Sequence, residues 1–156
     1  MNNDPQMHSL LEDLKSPNEG VRQHAAHELW RLWFEQKGKA GLDQIRKSET
    51  FLQAGQPDEA EAVLNQLIGD LPDFTEAWNR RAVLYYVTRR YRKALEDCKV
   101  VLTLNPKHFG ALHGMGLCYL ALEEYPAALR AFHQALEVQP YSVENQRLIL
   151  ECNARL

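Results

Sequence analysis

The chain contains two consecutive stretches with the same arrangement of large, small and aromatic residues. Residues 75–108 read TEAWNRRAVLYYVTRRYRKALEDCKVVLTLNPKH, and residues 109–142 read FGALHGMGLCYLALEEYPAALRAFHQALEVQPYS. Corresponding positions lie one period of about 34 residues apart. The pairs are Trp78 and Leu112, Arg81-Ala82 and Met115-Gly116, Tyr85 and Tyr119, Ala94 and Ala128, Cys98 and Phe132, and Pro106 and Pro140. A constant period over this length indicates one structural unit used twice.

A third, fainter copy precedes these two at residues 41–74. It keeps the small and aromatic positions but has lost the tryptophan, and its residues are Gln44, Lys47-Ser48, Phe51, Ala60, Leu64 and Pro72. Three adjoining units therefore cover residues 41–142, with boundaries 41–74, 75–108 and 109–142.

The repeated pattern predicts a pair of antiparallel helices in each unit. Small residues such as Ala82 and Ala94 let two helix backbones approach closely, and Tyr85 and Cys98 fill the wider space beside them. Proline cannot continue a helix, so Pro106 and Pro140 mark the breaks between units. First helices are expected at 42–54, 75–88 and 109–122, and second helices at 57–69, 91–104 and 125–138. Ser142 is expected to cap a last helix from Val143 to about Arg155.

These residues resemble the tetratricopeptide repeat (TPR) family, whose pattern runs Trp, Leu-Gly, Tyr, Ala, Phe, Pro. The resemblance covers about two thirds of the chain. It implies an all-α fold, an α-solenoid in which antiparallel helix pairs stack into a superhelix, with residues 143–156 as a C-terminal capping helix. Arg81 departs from the pattern, where leucine is usual, and its charge is expected to reach water while its stem packs.

Residues 1–40 predict a separate N-terminal helical pair. Residues 1–6 are polar and expected to lack regular structure, a short helix follows to Lys15, and Ser16 is expected to cap the second helix. The pair resembles one HEAT repeat weakly and is expected to close the N-terminal end of the stack. Trp30, Trp33 and Phe34 favour a core that joins the pair to the repeats over an exposed patch for a partner.

Composition bounds the class of protein and its location. The 156 residues are 45% hydrophobic and 25% charged, with a net charge of -3, so there is no overall basic field for nucleic acid or an anionic membrane. Without an apolar run of about 20 residues or a secretory signal, we expect a cytoplasmic protein. Cys98, Cys118 and Cys152 have no metal-ligand spacing and are interpreted as reduced thiols in or near the core.

No motif of known chemistry stands out, so we predict a protein that is not an enzyme and has no cofactor. His24 and His27, one helical turn apart, lack a third metal ligand. Gly114-Met115-Gly116 lies in a predicted helix with no strand before it, which argues against a phosphate loop. The basic run from Arg89 to Lys93 is interpreted as a solvated turn, with contact to an acidic segment or RNA as the alternative.

The resemblance to TPR proteins implies that the concave side, lined by the first helices, binds a peptide or a partner helix. Candidate groove residues are Arg46, Asn79, Arg80, Tyr86, His113, Leu117 and Arg147, with Leu42, Ile45, Glu49, Gln53, Glu76, Val83, Leu120 and Leu148 beside them. The arginines are expected to grip carboxylates, Asn79 to hydrogen-bond a peptide backbone, and Tyr86 with Leu117 to receive apolar side chains.

The groove does not match the carboxylate clamp with which some TPR proteins hold the acidic C-termini of chaperones. The clamp positions fall on Ile45, Glu49, Arg80, Gly110 and Gly114, or, one repeat later, on Asn79, Val83, Gly114, Glu144 and Leu148. At most one of them is basic in either register, so that mechanism is not expected here.

Three functional hypotheses follow. The leading one is a non-enzymatic protein interaction module, an adaptor, co-chaperone or complex-assembly factor, whose partner is a protein or peptide. The second is a structural subunit that self-associates through its N-terminal aromatic residues or through the last helix, where Leu148, Ile149 and Leu150 are consecutive. The third, less favoured, is RNA binding through the Arg89–Lys93 turn.

Overall fold

A computed structural model describes residues 4–156 of the chain, and this range consists of α-helices joined by short turns. The helices are α1 (Pro5–Asp13), α2 (Glu19–Phe34), α3 (Gly38–Gln53), α4 (Pro57–Asp70), α5 (Thr75–Val87), α6 (Tyr91–Leu104), α7 (Phe109–Ala121), α8 (Tyr125–Val138) and α9 (Val143–Ala154). The predicted all-α repeat solenoid is confirmed. None of the helices within residues 4–156 has the length and apolar character that crossing a bilayer requires.

The repeat helices begin and end within about a residue of the predicted bounds, with one exception. Helix α3 begins at Gly38 instead of residue 42, because Gly38 takes a positive φ of 73° that ends the turn after α2 and allows a new helix to start at once. The expectation that residues 1–6 lack regular structure is wrong at Pro5 and Gln6, which begin α1. Residues 1–3 lie outside the described range.

Helix α2 is capped by a different residue from the one predicted. The Asn18 side chain, not that of Ser16, accepts the backbone N–H of Val21 at 3.1 Å. The Ser16 hydroxyl instead accepts the backbone N–H of Asn18 at 3.1 Å and so helps to shape the turn before the helix. Both residue types are good helix caps, and Asn18 is the one that directly precedes Glu19, the first residue of the helix.

Within each repeat the two helices meet at the predicted small residues. Ala82, Ala94 and Ala128 are buried, and Gly116 lies so close to the ring of Phe132 that a Cβ at this position would overlap it. Arg81 differs from its prediction, because its guanidinium donates two hydrogen bonds of 2.8 Å to the buried carboxylate of Asp97 on α6, although the side chain remains 18% exposed. This charged pair replaces the leucine contact that the resemblance implied.

The turn between the two helices of each repeat has the same geometry three times. Each is a Schellman motif, in which the N–H of the third residue after the helix returns to a carbonyl five residues back. The bonds run from Gln56 N to Phe51 O (2.9 Å), from Arg90 N to Tyr85 O (2.7 Å) and from Glu124 N to Tyr119 O (2.9 Å). The residues in the left-handed conformation are Gly55, Arg89 and Glu123, with φ of 73°, 64° and 59°.

The N-terminal pair, α1 with α2, is called the N-terminal hairpin below, and it does not sit on the N-terminal end of the stack as predicted. Its apolar residues share one buried cluster with the third repeat. That cluster includes Leu10, Leu14, Leu29 and Trp33 from the hairpin, and Phe109, Leu112, Ala135 and Val138 from α7 and α8. The hairpin therefore lies across the repeats, held by an apolar surface far along the chain.

Candidate functional site

Helix α2 covers the half of the concave groove where the first helices of the repeats begin. Near the start of α2, the Arg22 guanidinium lies 4.2 Å from the ring centroid of Tyr141, which precedes α9. Near its end, the Arg80 guanidinium lies 5.0 Å from the ring centroid of Phe34. A single helix thus reaches from the last helix of the stack back to the second repeat.

Three aromatic residues of α2 make the contacts with the groove. Trp33, 1% exposed, stacks on His108 with ring centroids 4.3 Å apart and an interplanar angle of 20°. Trp30 meets the edge of Phe109 at 5.3 Å. Trp33 is thus part of the core that joins the hairpin to the repeats, as interpreted, and the partly buried Trp30 and Phe34 pack beside it.

A cluster of polar side chains, called the buried polar cluster below, lies beneath Trp33. His108 Nδ1 accepts the backbone N–H of Ala111 at 3.0 Å, which fixes the tautomer, so Nε2–H donates to Glu76 at 2.5 Å. Asn79 donates to the other oxygen of Glu76 at 3.3 Å. Glu76 and His108 are both fully buried, so the first helices of two repeats are joined by a polar contact inside the protein.

The Glu76 carboxylate is held in its charged form by these partners. Burial alone would raise its pKa, but the hydrogen bond from His108, the nearby charge of Arg80 and the hydrogen bond from Asn79 lower the pKa below its usual value. Arg80 Nε lies 3.5 Å from Glu76, within ion-pair range but outside hydrogen-bond geometry. The charge of Glu76 is thus balanced from within the groove.

The other half of the groove, which α2 leaves uncovered, is called the open half below. It contains two pockets between neighbouring first helices. One, of about 300 Å³, lies between α3 and α5 and is lined by Glu49, Leu52, Gln53, Arg80 and Val83 together with the buried Leu64 and Leu84. The second, of about 250 Å³, is lined by Tyr86, Leu117, Leu120, Ala121, Glu123, Tyr125, Glu151 and Arg155. Both combine an apolar floor with charged edges.

The predicted groove residues divide between these halves. Tyr86 and Leu117 line the same pocket in the open half, as expected of apolar contacts for a ligand. Arg46 is exposed, lines a shallow pocket with Phe34, and forms no salt bridge within residues 4–156. These three residues remain accessible to a partner.

The other predicted groove residues are engaged within the fold. Asn79 is 4% exposed and bonded to Glu76, so the expectation that it contacts a peptide backbone is wrong for this conformation. Arg80 binds Glu49 at 3.3 Å under Phe34. His113 contacts Asn145 of α9 at 2.7 Å, and the exposed Arg147 pairs with Glu144 and Glu151 on its own helix. Arg80 and His113 thus connect neighbouring helices, whereas Asn79 and Arg147 are paired within their own helices.

His108 is the functional residue that sequence reasoning missed. It precedes the third repeat as the cap of α7, and the repeat pattern assigns no packing role to this position. The sequence gives little signal for it, because histidine is not among the residues preferred as helix caps, and its partners Glu76 and Trp33 lie in other parts of the chain.

The hairpin engages two of the clamp positions, Gly110 and Arg80. A Cβ on Gly110 would lie 2.6 Å from the ring of Trp30, so this groove position is occupied by the hairpin. Arg80 faces Phe34 and its carboxylate partners. The covered half of the groove is therefore filled by the protein's own aromatic residues.

The basic run at the turn of the second repeat is mostly neutralised. Arg90 pairs with Glu61 at 2.9 Å, Arg92 with Glu124 at 2.5 Å, and Lys93 lies 5.6 Å from the ring centroid of Tyr85. Arg89 alone of the four has no such contact within residues 4–156. This arrangement does not favour a phosphate-binding surface.

The cysteines lie in the interior. Cys98, Cys118 and Cys152 are at most 2% exposed, and burial raises the pKa of the first two thiols to about 12. Residues 4–156 contain no group of three histidine, cysteine or acidic side chains placed to hold a metal ion.

The stacked helix pairs and their concave groove define a helical repeat protein. Two models described as tetratricopeptide repeat match residues 45–109 and 110–142. The chain belongs to the tetratricopeptide repeat family, as the repeat pattern predicted.

Relatives of this chain are found in bacteria and animals. A TPR repeat-containing protein of Rhizobium etli is 30% identical over 136 residues, which cover 86% of this chain and 65% of that protein. The BBSome complex member BBS4 homolog of Drosophila melanogaster is 23% identical over 99 residues, 64% of this chain and 20% of its own length. The chain thus spans less than two thirds of either relative.

Solved TPR domains have the same fold. The first TPR of Spaghetti (RPAP3) bound to an HSP90 peptide superposes with a TM-score of 0.70 at 21% identity, covering 72% of this chain and 90% of that one. The Sgt2 TPR domain from Aspergillus fumigatus gives a TM-score of 0.67 at 18% identity, covering 72% and 76%. At this identity the likeness concerns the fold alone.

Proposed function

We propose that this chain is a protein interaction module that works without catalysis, and that its partner binds in the open half of the groove. The main support for this proposal is the exposed apolar surface in the open half. Val83 is 39% exposed, and Tyr86, Leu117 and Leu120 line the neighbouring pocket. Apolar side chains that line concave pockets gain free energy when a ligand removes them from water.

The hairpin restricts which ligands fit. Because Trp30, Trp33 and Phe34 fill the other half, a partner has access to the open half, where the clamp positions Glu49 and Arg80 line a pocket but Gly110 is covered by Trp30. The first TPR of Spaghetti (RPAP3) was solved bound to an HSP90 peptide, which supports peptide recognition as one use of this fold. For this chain we propose an adaptor or assembly role in the cytoplasm, with a different ligand.

Affinity purification from the native cell with mass spectrometry tests the proposal, using the full chain and two valine variants. Val83→Asp places a charge on the groove surface. Val143→Asp places the same charge at the exposed start of α9, where Val143 is 76% exposed. We expect proteins retained by the wild type to be kept by Val143→Asp and lost by Val83→Asp. Equal retention by both variants would reject the groove as the binding surface.

A second candidate function is self-association through α9. Leu148 and Ile149 are buried at 3% and 8%, whereas Leu150 is 70% exposed and lies seven residues after the exposed Val143, on the same helix face. The N-terminal aromatic residues no longer support self-association, because Trp33 is buried within the chain. Light scattering over a concentration series, with Leu150→Glu as the variant, tests this candidate, and a wild-type monomer at every concentration would remove it.

A further inference from the structure

The left-handed turn positions of the second and third repeats are occupied by charged residues. Gly55 takes this position in the first repeat, while Arg89 and Glu123 take it in the next two with φ of 64° and 59°. Side chains with a Cβ adopt this conformation at a steric cost that glycine avoids. Since Gly55 forms the same motif, the fold itself accepts glycine at this turn.

Local stability does not explain the choice of Glu123. A positive charge at the end of a helix is favoured by the helix dipole, which accounts in part for Arg89 after α5. Glu123 follows α7, where the same dipole disfavours a carboxylate. The glutamate therefore carries two local disadvantages, its backbone conformation and its charge.

Both charges are free to contact a ligand. Arg89 and Glu123 are exposed and form no salt bridge within the described part of the chain, although Arg90 and Glu124 beside them do. Glu123 lines the open-half pocket of Tyr86, Leu117 and Leu120. Arg155 lines this pocket too, without reaching salt-bridge distance to Glu123. The cation and the anion lie at equivalent turns one repeat apart; Glu123 lines the pocket itself, and Arg89 follows three residues after Tyr86, which also lines it.

We propose that Arg89 and Glu123 select an amphipathic helix of a partner protein that carries an acidic and a basic residue on one face, with leucine-like side chains between them. The acid would pair with Arg89, the base with Glu123, and the apolar side chains would enter the pocket of Tyr86, Leu117 and Leu120. This inference rests on the function proposed above and specifies the chemistry of its ligand.

The spacing of the ligand's residues follows from helix geometry. Packed neighbouring helices lie about 10 Å apart, so the two turns are separated by about that distance. Seven residues of a helix rise about 10.5 Å and bring the side chain back to the same face. The ligand pattern is thus an acid at position i, apolar residues at i+3 and i+4, and a base at i+7.

A synthetic peptide tests the pattern directly. The probe is a fluorescein-labelled, alanine-rich 18-residue helix with Glu, Leu, Leu and Lys at these positions, about 27 Å long and so able to cover both pockets. Fluorescence anisotropy with the full-length wild type, Arg89→Gly and Glu123→Gly measures binding, and urea denaturation measures stability. Lys99→Gln, which removes a surface charge from α6, is the control for net charge.

We expect the glycine substitutions to raise the stability of the protein and to weaken its binding of the probe. Each glycine variant should unfold at a higher urea concentration than the wild type, yet bind the probe about two- to five-fold more weakly, as loss of an exposed ion pair implies. The effect of Arg89→Gly should vanish with a probe whose Glu is replaced by Gln. The effect of Glu123→Gly on binding should likewise vanish with a probe whose Lys is replaced by Gln. The control variant Lys99→Gln should bind the original probe as the wild type does.

The outcomes separate this inference from the proposed function. Glycine variants that bind the probe as tightly as the wild type would overturn the charge pattern, and if Val83→Asp still weakens binding, the groove remains the binding surface. If neither the glycine variants nor Val83→Asp weakens binding, both the charge pattern and the groove as the binding surface are rejected. No binding of the probe by the wild type at millimolar concentration would overturn the assigned ligand chemistry.

Discussion

The indole of Trp33 stacks on His108, whose Nε2–H donates to Glu76, so an N-terminal helix covers a polar contact between the second and third repeats. Glu76, His108 and Trp33 come from three separate parts of the chain and are almost completely buried. Burial of a carboxylate is tolerated here because every oxygen of Glu76 has a hydrogen-bond donor. The hairpin and the stack are thus joined by more than apolar contact.

Replacing the carboxylate should change how stability depends on pH. The pKa of Glu76 is lowered in the folded protein, so its stabilising contribution is complete above the unfolded value near 4.5 and is lost as the pH falls through the lower folded value. Glu76→Gln should cost about 1.5–3 kcal/mol at pH 7. Below pH 4.5 its unfolding free energy should fall less steeply than that of the wild type.

Urea denaturation at several pH values between 3 and 7 measures this difference. The other acidic residues contribute equally to both proteins, so the comparison isolates Glu76. Parallel curves for wild type and variant would show that the charge of Glu76 does not stabilise the fold.

Gly110→Ala should loosen the hairpin. The new Cβ would lie 2.6 Å from the ring of Trp30, which must move, and we expect a loss of about 1–3 kcal/mol in unfolding free energy. Hydrogen exchange should show faster exchange in α2 than in the repeat helices. Gly114→Ala on the same helix is the control, because its Cβ would meet only Cys98 Sγ at 3.8 Å, and alanine there should be neutral or stabilising by up to about 1 kcal/mol.

Gly116→Ala should destabilise the repeat itself. The added methyl group would overlap the ring of Phe132, which is 0% exposed and has no free space to enter. We expect a loss of about 1–3 kcal/mol, or more if α7 and α8 must separate. Chemical denaturation measures this loss of unfolding free energy, with the same Gly114→Ala variant as the control. Equal stability of the two variants would contradict the close approach of α7 and α8.

The cysteine thiols should be inert in the folded protein. Burial raises the pKa of Cys98 and Cys118 to about 12, and raises that of Cys152, so very little thiolate forms at pH 8. Reaction with Ellman's reagent should be at least about 1000-fold slower in the native state than in guanidinium, where the thiols have pKa values near 8.5. A thiol that reacts within seconds in the native protein would contradict its burial.

The sequence predicted the repeats well because their signals are local. Ala82, Tyr85 and Pro106 contact residues of the same or the adjacent helix, so their pattern is enough to place both helices and their ends. The groove was predicted less well, since Asn79 and Arg80 are held by Glu76 and Phe34. The side of the stack on which the hairpin lies depends on apolar residues of α7 and α8, and no short-range pattern in residues 1–40 indicates it.

The hairpin also affects how the chain should unfold. A solenoid whose units touch only their neighbours can fray from either end, one unit at a time. Here Leu29 and Trp33, near the start of the chain, share a core with Phe109 and Val138, so the hairpin acts as a clasp that fastens the start of the chain to the third repeat. Loss of the third repeat would release the amino-terminal helices, and the clasp should make thermal melting a single cooperative transition.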